Sequence, residues 1–377
     1  MRVLVDVSAV PHDPVGAGRY TLELVTALAR TGEIDLSLLA RRDDGERWTA
    51  VAPTARVHAV GPTNRPARLV WEQTRAPRLA AALDLDVWHG PHYTLPLRAM
   101  VPRVVTVHDL TFFDHPEWHE RTKVAYFRRV IPAAVRNASA IVAVSAFTAA
   151  GIRRQFDPTV PVFVAPHGVD HEHFRTDPAP GEDALLRALG VGSPYIAFVG
   201  LLEPRKNVPA LVTAFARVTA GRPNLRLVLG GGDGWGASAV REAVVASGVA
   251  SRILRPGYVP ADAVPALLRN AEVVAYPSLT EGFGLPALEA LACGAPLVST
   301  SGSAVEEVVG DAALLVAPGD VDALTSALDW LLSDPHARTD LALRGPARAQ
   351  GYTWDASAAI HLEAYRHAAG QRAAPSS

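Results

Sequence analysis

One cysteine, Cys293, occurs in 377 residues. An internal disulfide is therefore excluded, and the count fits a reducing compartment. Cys293 lies in the apolar run LEALACGAP, which reads as a buried structural thiol rather than a nucleophile. There is no run of about 18 apolar residues, so no helix is expected to span a membrane. The N-terminus MRVLVDVSAV has a single Arg and neither a long apolar core nor a cleavage site. It reads as a first strand, not a secretory signal. The 13 histidines are scattered without zinc-like Cys/His spacing, and no D-x-D pair ends a strand. Neither a structural zinc nor a donor-bridging Mg²⁺ is implied. Excess charge is also missing: the net value is −2, which argues against nucleic acid as a partner.

What the chain does have is apolar content of 49% with 20% charged residues, a globular composition, at a length suited to two domains. Residues 1–177 carry 21 Lys and Arg against 19 Asp and Glu, and residues 178–377 carry 15 against 19. The first half also concentrates its cations. Arg65, Arg68, Arg75 and Arg78 surround Trp71, and Arg121, Lys123, Arg128, Arg129 and Arg136 share a helical stretch with Tyr126 and Phe127. Such stretches are either solvated helix faces or a peripheral contact with an anionic membrane through the N-terminal domain.

Strand and helix signals alternate throughout, which argues for parallel α/β sheets. Strands are expected at 2–8, 34–40, 86–89, 103–107, 140–144 and 161–165, then at 195–200, 225–230, 252–254, 273–276, 296–299 and 313–316. Helices are expected near 18–30, 66–82, 119–137 and 146–155, then near 206–220, 236–247, 261–270, 285–293 and 321–333. VDHEHFRTDPAPGED, poor in apolar residues, reads as a linker at 169–183. The domains expected are 1–170, rejoined by 353–377, and 184–352. Ligands of such sheets sit at strand C-termini, where loops enter helices.

The most informative segment is YPSLTEGFGLPALEALACGAP, residues 276–296. It reads as strand, glycine-broken loop, helix. Glu281 lies in the loop, and Glu289 follows eight positions later on the helix. Gly282 and Gly284 leave room for a ligand to approach the backbone, and Pro286 suits a first helical turn. Two carboxylates beside a helix N-terminus fit a polyol next to an anionic group, although they also fit a cap and a solvated face. Other loops stand at comparable places. GAGRY, with Gly16 and Gly18, follows the first strand, without the third glycine of a dinucleotide fingerprint. VHDL ends a strand with His108 and Asp109, and HGPHY ends one with His89, His92 and Tyr93. GLLEPRKN brings Arg205 and Lys206 to a helix start, as a diphosphate would require.

The 276–296 segment closely resembles the Glu-x7-Glu signature of retaining nucleotide-sugar glycosyltransferases of family four, including bacterial mannosyltransferase-like members. EPRKN, GAGRY, VHDL and the last helix, YTWDASAAIHLEAYRHA, resemble the same family, so the likeness covers nearly the whole chain. It implies the GT-B fold: two Rossmann-like domains facing across a cleft, with the C-terminal helix crossing back to the first domain. It implies that Glu281 and His108 meet the reacting sugar and Glu289 the ribose. The donor would further be bound by Gly16, Gly18, Arg205, Lys206, Gly282, Phe283, Gly284 and Leu285. RPGYVP resembles the loop holding the base, which assigns Tyr258 and Val259 to the donor site, and GGGDGWG would lie beside the nucleotide. Many family members carry an Arg directly after the glycine that ends the first strand of the second domain. Here that residue is Leu201, which leaves the phosphates to Arg205 and Lys206.

The expected function is transfer of a sugar, mannose from GDP-mannose as the first choice, to an acceptor hydroxyl with retention of configuration. No cofactor or metal is implied, and the acceptor is a glycan, a lipid-linked sugar or a small molecule. The expected location is cytoplasmic, with the inner face of the membrane as the alternative. A sugar-nucleotide epimerase, a phosphorylase and a non-catalytic sugar-binding relative are the rival readings. A phosphorylase would need a cofactor lysine and a longer chain. The intact Glu281, Glu289, Arg205 and Lys206 speak against lost catalysis.

Overall fold

The computed structural model describes residues 1–371, which form two compact units. Unit 1 comprises Met1–Gly168 together with the chain from Thr353 on, and unit 2 comprises Val169–Tyr352.

Unit 1 is built on seven strands: β1 (Arg2–Asp6), β2 (Asp35–Arg41), β3 (Arg56–Gly61), β4 (Val87–Gly90), β5 (Arg103–Val107), β6 (Ala140–Ala143) and β7 (Val162–Val164). They pair in parallel in the order β3-β2-β1-β4-β5-β6-β7. Val5 stands opposite Leu38 on one side and His89 on the other. Strands such as AIVA of β6 are buried along their whole length. A parallel strand covered on both faces requires this, and it explains why these strands read as unbroken apolar runs. The helices are α1 (Ala17–Thr31), α2 (Gly45–Val51), α3 (Arg65–Thr74), α4 (Ala76–Ala82), α5 (Thr111–Asp114), α6 (Arg121–Asn137) and α7 (Ala146–Phe156). Asn64 caps α3 and Ser145 caps α7, each accepting a backbone N–H of the first turn.

Unit 2 contains six strands: β8 (Tyr195–Val199), β9 (Arg226–Gly230), β10 (Ile253–Gly257), β11 (Val273–Tyr276), β12 (Leu297–Thr300) and β13 (Leu314–Val316). They are again parallel, in the order β10-β9-β8-β11-β12-β13. Its helices are α8 (Glu182–Ala188), α9 (Val208–Val218), α10 (Ala237–Ala246), α11 (Val264–Arg269), α12 (Leu285–Ala292), α13 (Ala304–Val309), α14 (Val321–Ser333) and α15 (Pro335–Ala349). The α12 sequence LPALEALA is apolar on nearly every face, and the helix is buried from Ala287 to Ala292. Cys293 follows it, buried, and burial pushes its thiol up to about 12, so this sulfur is inert. The chain then returns to unit 1 as α16 (Trp354–Gly370), capped by Thr353 and packed on α1 and β4–β7.

Each sheet reverses its winding once, between β1 and β4 in unit 1 and between β8 and β11 in unit 2. In doubly wound sheets the ligand crevice opens at that point, beyond the strand C-termini. The glycine loop and HGPHY follow β1 and β4. GLLEPRKN and the 276–296 segment follow β8 and β11.

The structure corrects several expectations. The edge strand β3 and the helix α2 before it were not foreseen. The helix expected at 66–82 is two helices, parted at Arg75, with Pro77 in the first turn of α4. Residues 169–183 are not a free linker, because they pack into unit 2. Phe174 is fully buried there, which is worth roughly 1.5–3 kcal/mol. His173 bonds to the Ala261 carbonyl at 2.9 Å, and Arg269 donates to the Arg175 carbonyl at 2.9 Å and pairs with buried Glu182. No helix among the described residues is long and apolar enough to cross a membrane.

Candidate active site

The β11 strand ends at Tyr276 and releases the loop that carries Glu281. The β8 strand ends at Val199 and leads, through Gly200 and Leu202, into a 3-10 turn at Pro204–Lys206. The Arg205 carbonyl accepts the Leu279 N–H at 2.7 Å, which ties the two loops together at the switch point. Their side chains then meet. Lys206 Nζ lies 2.6 Å from Glu281 Oε1, and Arg205 donates to Glu281 Oε2 and, at 3.0 Å, to Glu203. The Tyr276 hydroxyl donates to Glu281 Oε1 at 2.9 Å and also contacts Lys206, whose ammonium sits 4.5 Å from the centre of that ring.

Glu281 and Lys206 are both buried, at 7% and 6% exposure. Burial alone would raise the Glu281 carboxyl, but Arg205 and Lys206 outweigh it and hold the group ionised, down at about 2. Burial and then Arg205 lower the Lys206 ammonium to about 8, against the pull of Glu281. At neutral pH the cluster therefore holds two cations and the ionised Glu281 carboxylate, with Lys206 and Glu281 buried. Sugar hydroxyls and phosphate oxygens are the groups such a set can recognise.

Gly284, at the start of α12, has φ of +104°, and a Cβ there would lie 2.7 Å from Val305 Cγ2. Only glycine fits that conformation and space. Gly282, Phe283 and Leu285 complete the approach to the helix. The Leu285 N–H belongs to a first turn that has no intrahelical acceptor. Glu289 is buried one turn into α12. Tyr258 follows β10 and is largely exposed, whereas Val259 is buried against Gly230. The glycines of GGGDGWG have a packing role. A Cβ on Gly231 would lie 2.0 Å from the Gly200 carbonyl oxygen, so this turn lies flush against the GLLEP segment. A cavity of about 510 Å³ lies at the other end of the sheet, by Ser193, Arg226 and Arg252 at the starts of β8, β9 and β10; none of the motif residues lines it.

In unit 1, Gly16 and Gly18 lie in the turn that opens α1. Arg47, on α2, pins this loop by donating to the Pro11 and His12 carbonyls, each at 2.8 Å. His108 follows β5, and its Nε2–H donates to the Pro91 carbonyl at 2.8 Å, leaving Nδ1 as an acceptor. Burial lowers its basicity, so the ring is neutral. Asp109 accepts the Thr111 N–H and hydroxyl at 3.0 and 2.7 Å and shapes the turn. His89, named above for its place at a strand end, does not line a ligand site and is fully buried. Its Nε2 pairs with Thr106 and its Nδ1 with Tyr365 of α16, both at 2.8 Å, and it packs structurally. Beside it, Tyr20 shares hydrogen bonds with Thr106 at 2.9 Å and with His361 of α16 at 2.8 Å.

Sequence reasoning missed Tyr276 and Arg47. Tyr276 is the first letter of the quoted segment, and a tyrosine closing a buried strand next to a charged loop was the available signal. Nothing local marked Arg47, because its partners lie about 35 residues away.

Comparisons with known proteins bear on the family and the fold. The family model for glycosyl transferases group 1 matches residues 187–348, and that for Glycosyltransferase Family 4 matches residues 14–173. O-antigen chain mannosyltransferase B of Escherichia coli is 30% identical over 383 residues, covering 97% of this chain and 100% of that protein. Among solved structures, a sucrose-phosphate synthase from Thermosynechococcus elongatus superposes with a TM-score of 0.79 at 22% identity, over 97% of this chain and 98% of that one. Anabaena HepE in complex with UDP-glucose superposes at 0.77 and 21% identity, over 96% and 98%. The parallel sheets, the loops at their switch points and these matches lead to one assignment: the chain belongs to glycosyltransferase family four and has the GT-B fold.

Proposed function

We propose that the protein moves a sugar from a nucleotide diphosphate donor to an acceptor hydroxyl with the anomeric configuration kept, and that the donor is GDP-mannose. The observation that carries the reading is the buried Glu281–Lys206–Arg205 cluster at the switch point of unit 2. The full-length likeness to a protein named as a mannosyltransferase favours mannose. As the sugar C1–oxygen bond to the diphosphate breaks, negative charge grows on the leaving oxygen. Lys206, Arg205 and the α12 N-terminus are placed to meet that charge without a metal. Glu281 orients the sugar hydroxyls, Glu289 takes the ribose, and His108 offers its Nδ1 lone pair to a sugar hydroxyl. The acceptor oxygen bonds to C1 on the face the diphosphate leaves, and its proton passes to the departing phosphate. The loop at Tyr258 and Val259 holds the base. No cofactor takes part, and the reaction belongs in the cytoplasm or at the inner membrane face.

Purified protein incubated with GDP-mannose, UDP-glucose or dTDP-glucose and a panel of glycan acceptors, with the product anomer read by NMR, tests this reading. A glycoside of retained configuration, formed equally well in EDTA, is expected. A free isomerised nucleotide sugar would establish an epimerase, a sugar phosphate a phosphorylase, and an inverted glycoside would refute the mechanism.

A further inference from the structure

Unit 1 holds a cavity of about 290 Å³ at the C-terminal ends of β1, β2 and β4, astride the point where its sheet reverses. Arg41, Arg65 and Arg68 line it, facing Tyr93, Thr94 and Tyr126. Three guanidinium groups around one small cavity repel each other unless something offsets them, and the nearby carboxylates do so only in part. Arg68, with its side chain 13% exposed, makes no side-chain hydrogen bond among the described residues. Its nearest carboxylate oxygen, Glu72 Oε2, is 4.0 Å away, beyond hydrogen-bond reach. That oxygen already accepts the Thr94 hydroxyl at 3.1 Å, and Asp6 Oδ1 accepts both the N–H and the hydroxyl of Ser8, at 3.0 and 2.6 Å. Arg41 Nε is buried without a hydrogen-bond partner, 3.6 Å from Asp43 Oδ1, while its Nη2 reaches buried Asp44 at 3.3 Å. Burial, and then Asp6, raise the Glu72 carboxyl to about 7, which leaves the cavity still more cationic. The donors Arg41 and Arg68 hold unspent are planar forks suited to phosphate oxygens. The tyrosine rings opposite offer flat apolar surface to the C–H face of a sugar, and the threonine and serine hydroxyls can meet its hydroxyl groups.

We propose that this cavity receives the acceptor and that the acceptor is a phosphorylated sugar, its ring against Tyr93 and Tyr126 and its phosphate on Arg41, Arg65 and Arg68. The inference rests on the transferase reading above and adds the chemical class of the second substrate. The same phosphate could belong to a free sugar phosphate or to a sugar held through a lipid diphosphate.

Calorimetry on the whole protein decides. The probes are mannose 6-phosphate, methyl α-mannoside, a short-polyprenyl diphosphate-linked mannose in detergent, and GDP and UDP. Wild type is expected to bind at least one phosphorylated probe about tenfold or more tightly than methyl α-mannoside. The tighter of the two identifies the source of the phosphate. Arg68→Gln, and separately the exposed Arg65→Gln, should erase that preference while leaving nucleoside diphosphate affinity and far-UV circular dichroism unchanged. Lys206→Ala should do the reverse. Equal affinity for phosphorylated and neutral probes, or an undiminished preference in both arginine variants, overturns the proposal. So does a preference that Lys206→Ala removes, since the phosphate would then occupy the nucleotide site. Failure of GDP and UDP to bind at all would instead overturn the donor reading.

Discussion

Replacing Glu281 by Gln keeps the shape of the side chain and removes its charge. In the native cluster one carboxylate oxygen accepts from Lys206 and Tyr276, and the other accepts from Arg205. Glutamine offers one acceptor oxygen and turns an NH₂ donor toward a cation. Leaving a buried charge uncompensated costs roughly 3–5 kcal/mol. For a domain the size of unit 2, each kcal/mol lowers the melting temperature by about 2–4 °C, so a drop on the order of 10 °C is expected. Lys206, already brought down to about 8 by burial and Arg205, falls further once Glu281 no longer holds it up. A bound nucleoside diphosphate then restores the missing counter-charge. Saturating GDP or UDP should therefore raise the melting temperature of Glu281→Gln more than that of wild type. Turnover at saturating donor should fall by about 10² or more, as for loss of one preorganised contact. Differential scanning fluorimetry with and without nucleotide, followed by initial rates, checks both. A variant that melts like wild type, gains no extra stabilisation from nucleotide and turns over normally would refute the reasoning.

Two further outcomes follow from the same geometry. Lys206→Ala and Arg205→Ala should each weaken nucleoside diphosphate binding by about 1.5–3 kcal/mol. In wild type that affinity should fall as pH rises through about 8, where free Lys206 loses its proton; calorimetry at pH 7 and pH 9 reads it directly. In unit 1, burial lowers His361 to about 4 and His92 to about 3 from an ordinary value of 6.5. The folded state thus binds fewer protons than the unfolded one below pH 6.5. Stability is intact above that value and is lost as pH falls toward 3–4, with His361 alone accounting for roughly 3 kcal/mol. Acid unfolding followed by tryptophan fluorescence should show this slope, and His361→Gln should flatten it; an unchanged slope would mean that His361 is charged in the folded state.

Much of the fold was legible because its central strands are short, wholly buried apolar runs ended by glycine or polar loops, as in YIAFVG and VVTVHD. The edge strand β3 escaped because RVHAVG is only partly buried and alternates with Arg56 and His58. The pattern of an edge resembles that of a loop. The segment 169–183 misled because its anchors, His173, Arg175 and Glu182, are single residues in polar surroundings, and their partners Ala261 and Arg269 lie about 90 residues on. At the candidate site, the residue types and their strand-end positions were readable. That Arg205, Lys206, Tyr276 and Glu281 form one hydrogen-bonded group was not, because it depends on β8 and β11 being neighbours in the sheet. His89 shows the converse: a strand-end histidine can face the interior when another helix supplies its partner.

That helix, α16, also bears on how the protein is made. Tyr20 and His89 leave the ribosome before unit 2, but His361 and Tyr365, which satisfy them, follow only after all of unit 2 has been synthesised. Each buried polar group left waiting costs about 1–3 kcal/mol. Unit 2 is contiguous and can close on its own, whereas unit 1 has to wait, which inverts the usual N-terminal-first order. A chain ended at Tyr352 should then yield a folded unit 2 beside a protease-sensitive unit 1, and an equally resistant unit 1 would show that α16 is dispensable. In the intact protein, the polar bolt through unit 1 makes its folding a report that translation has passed residue 365.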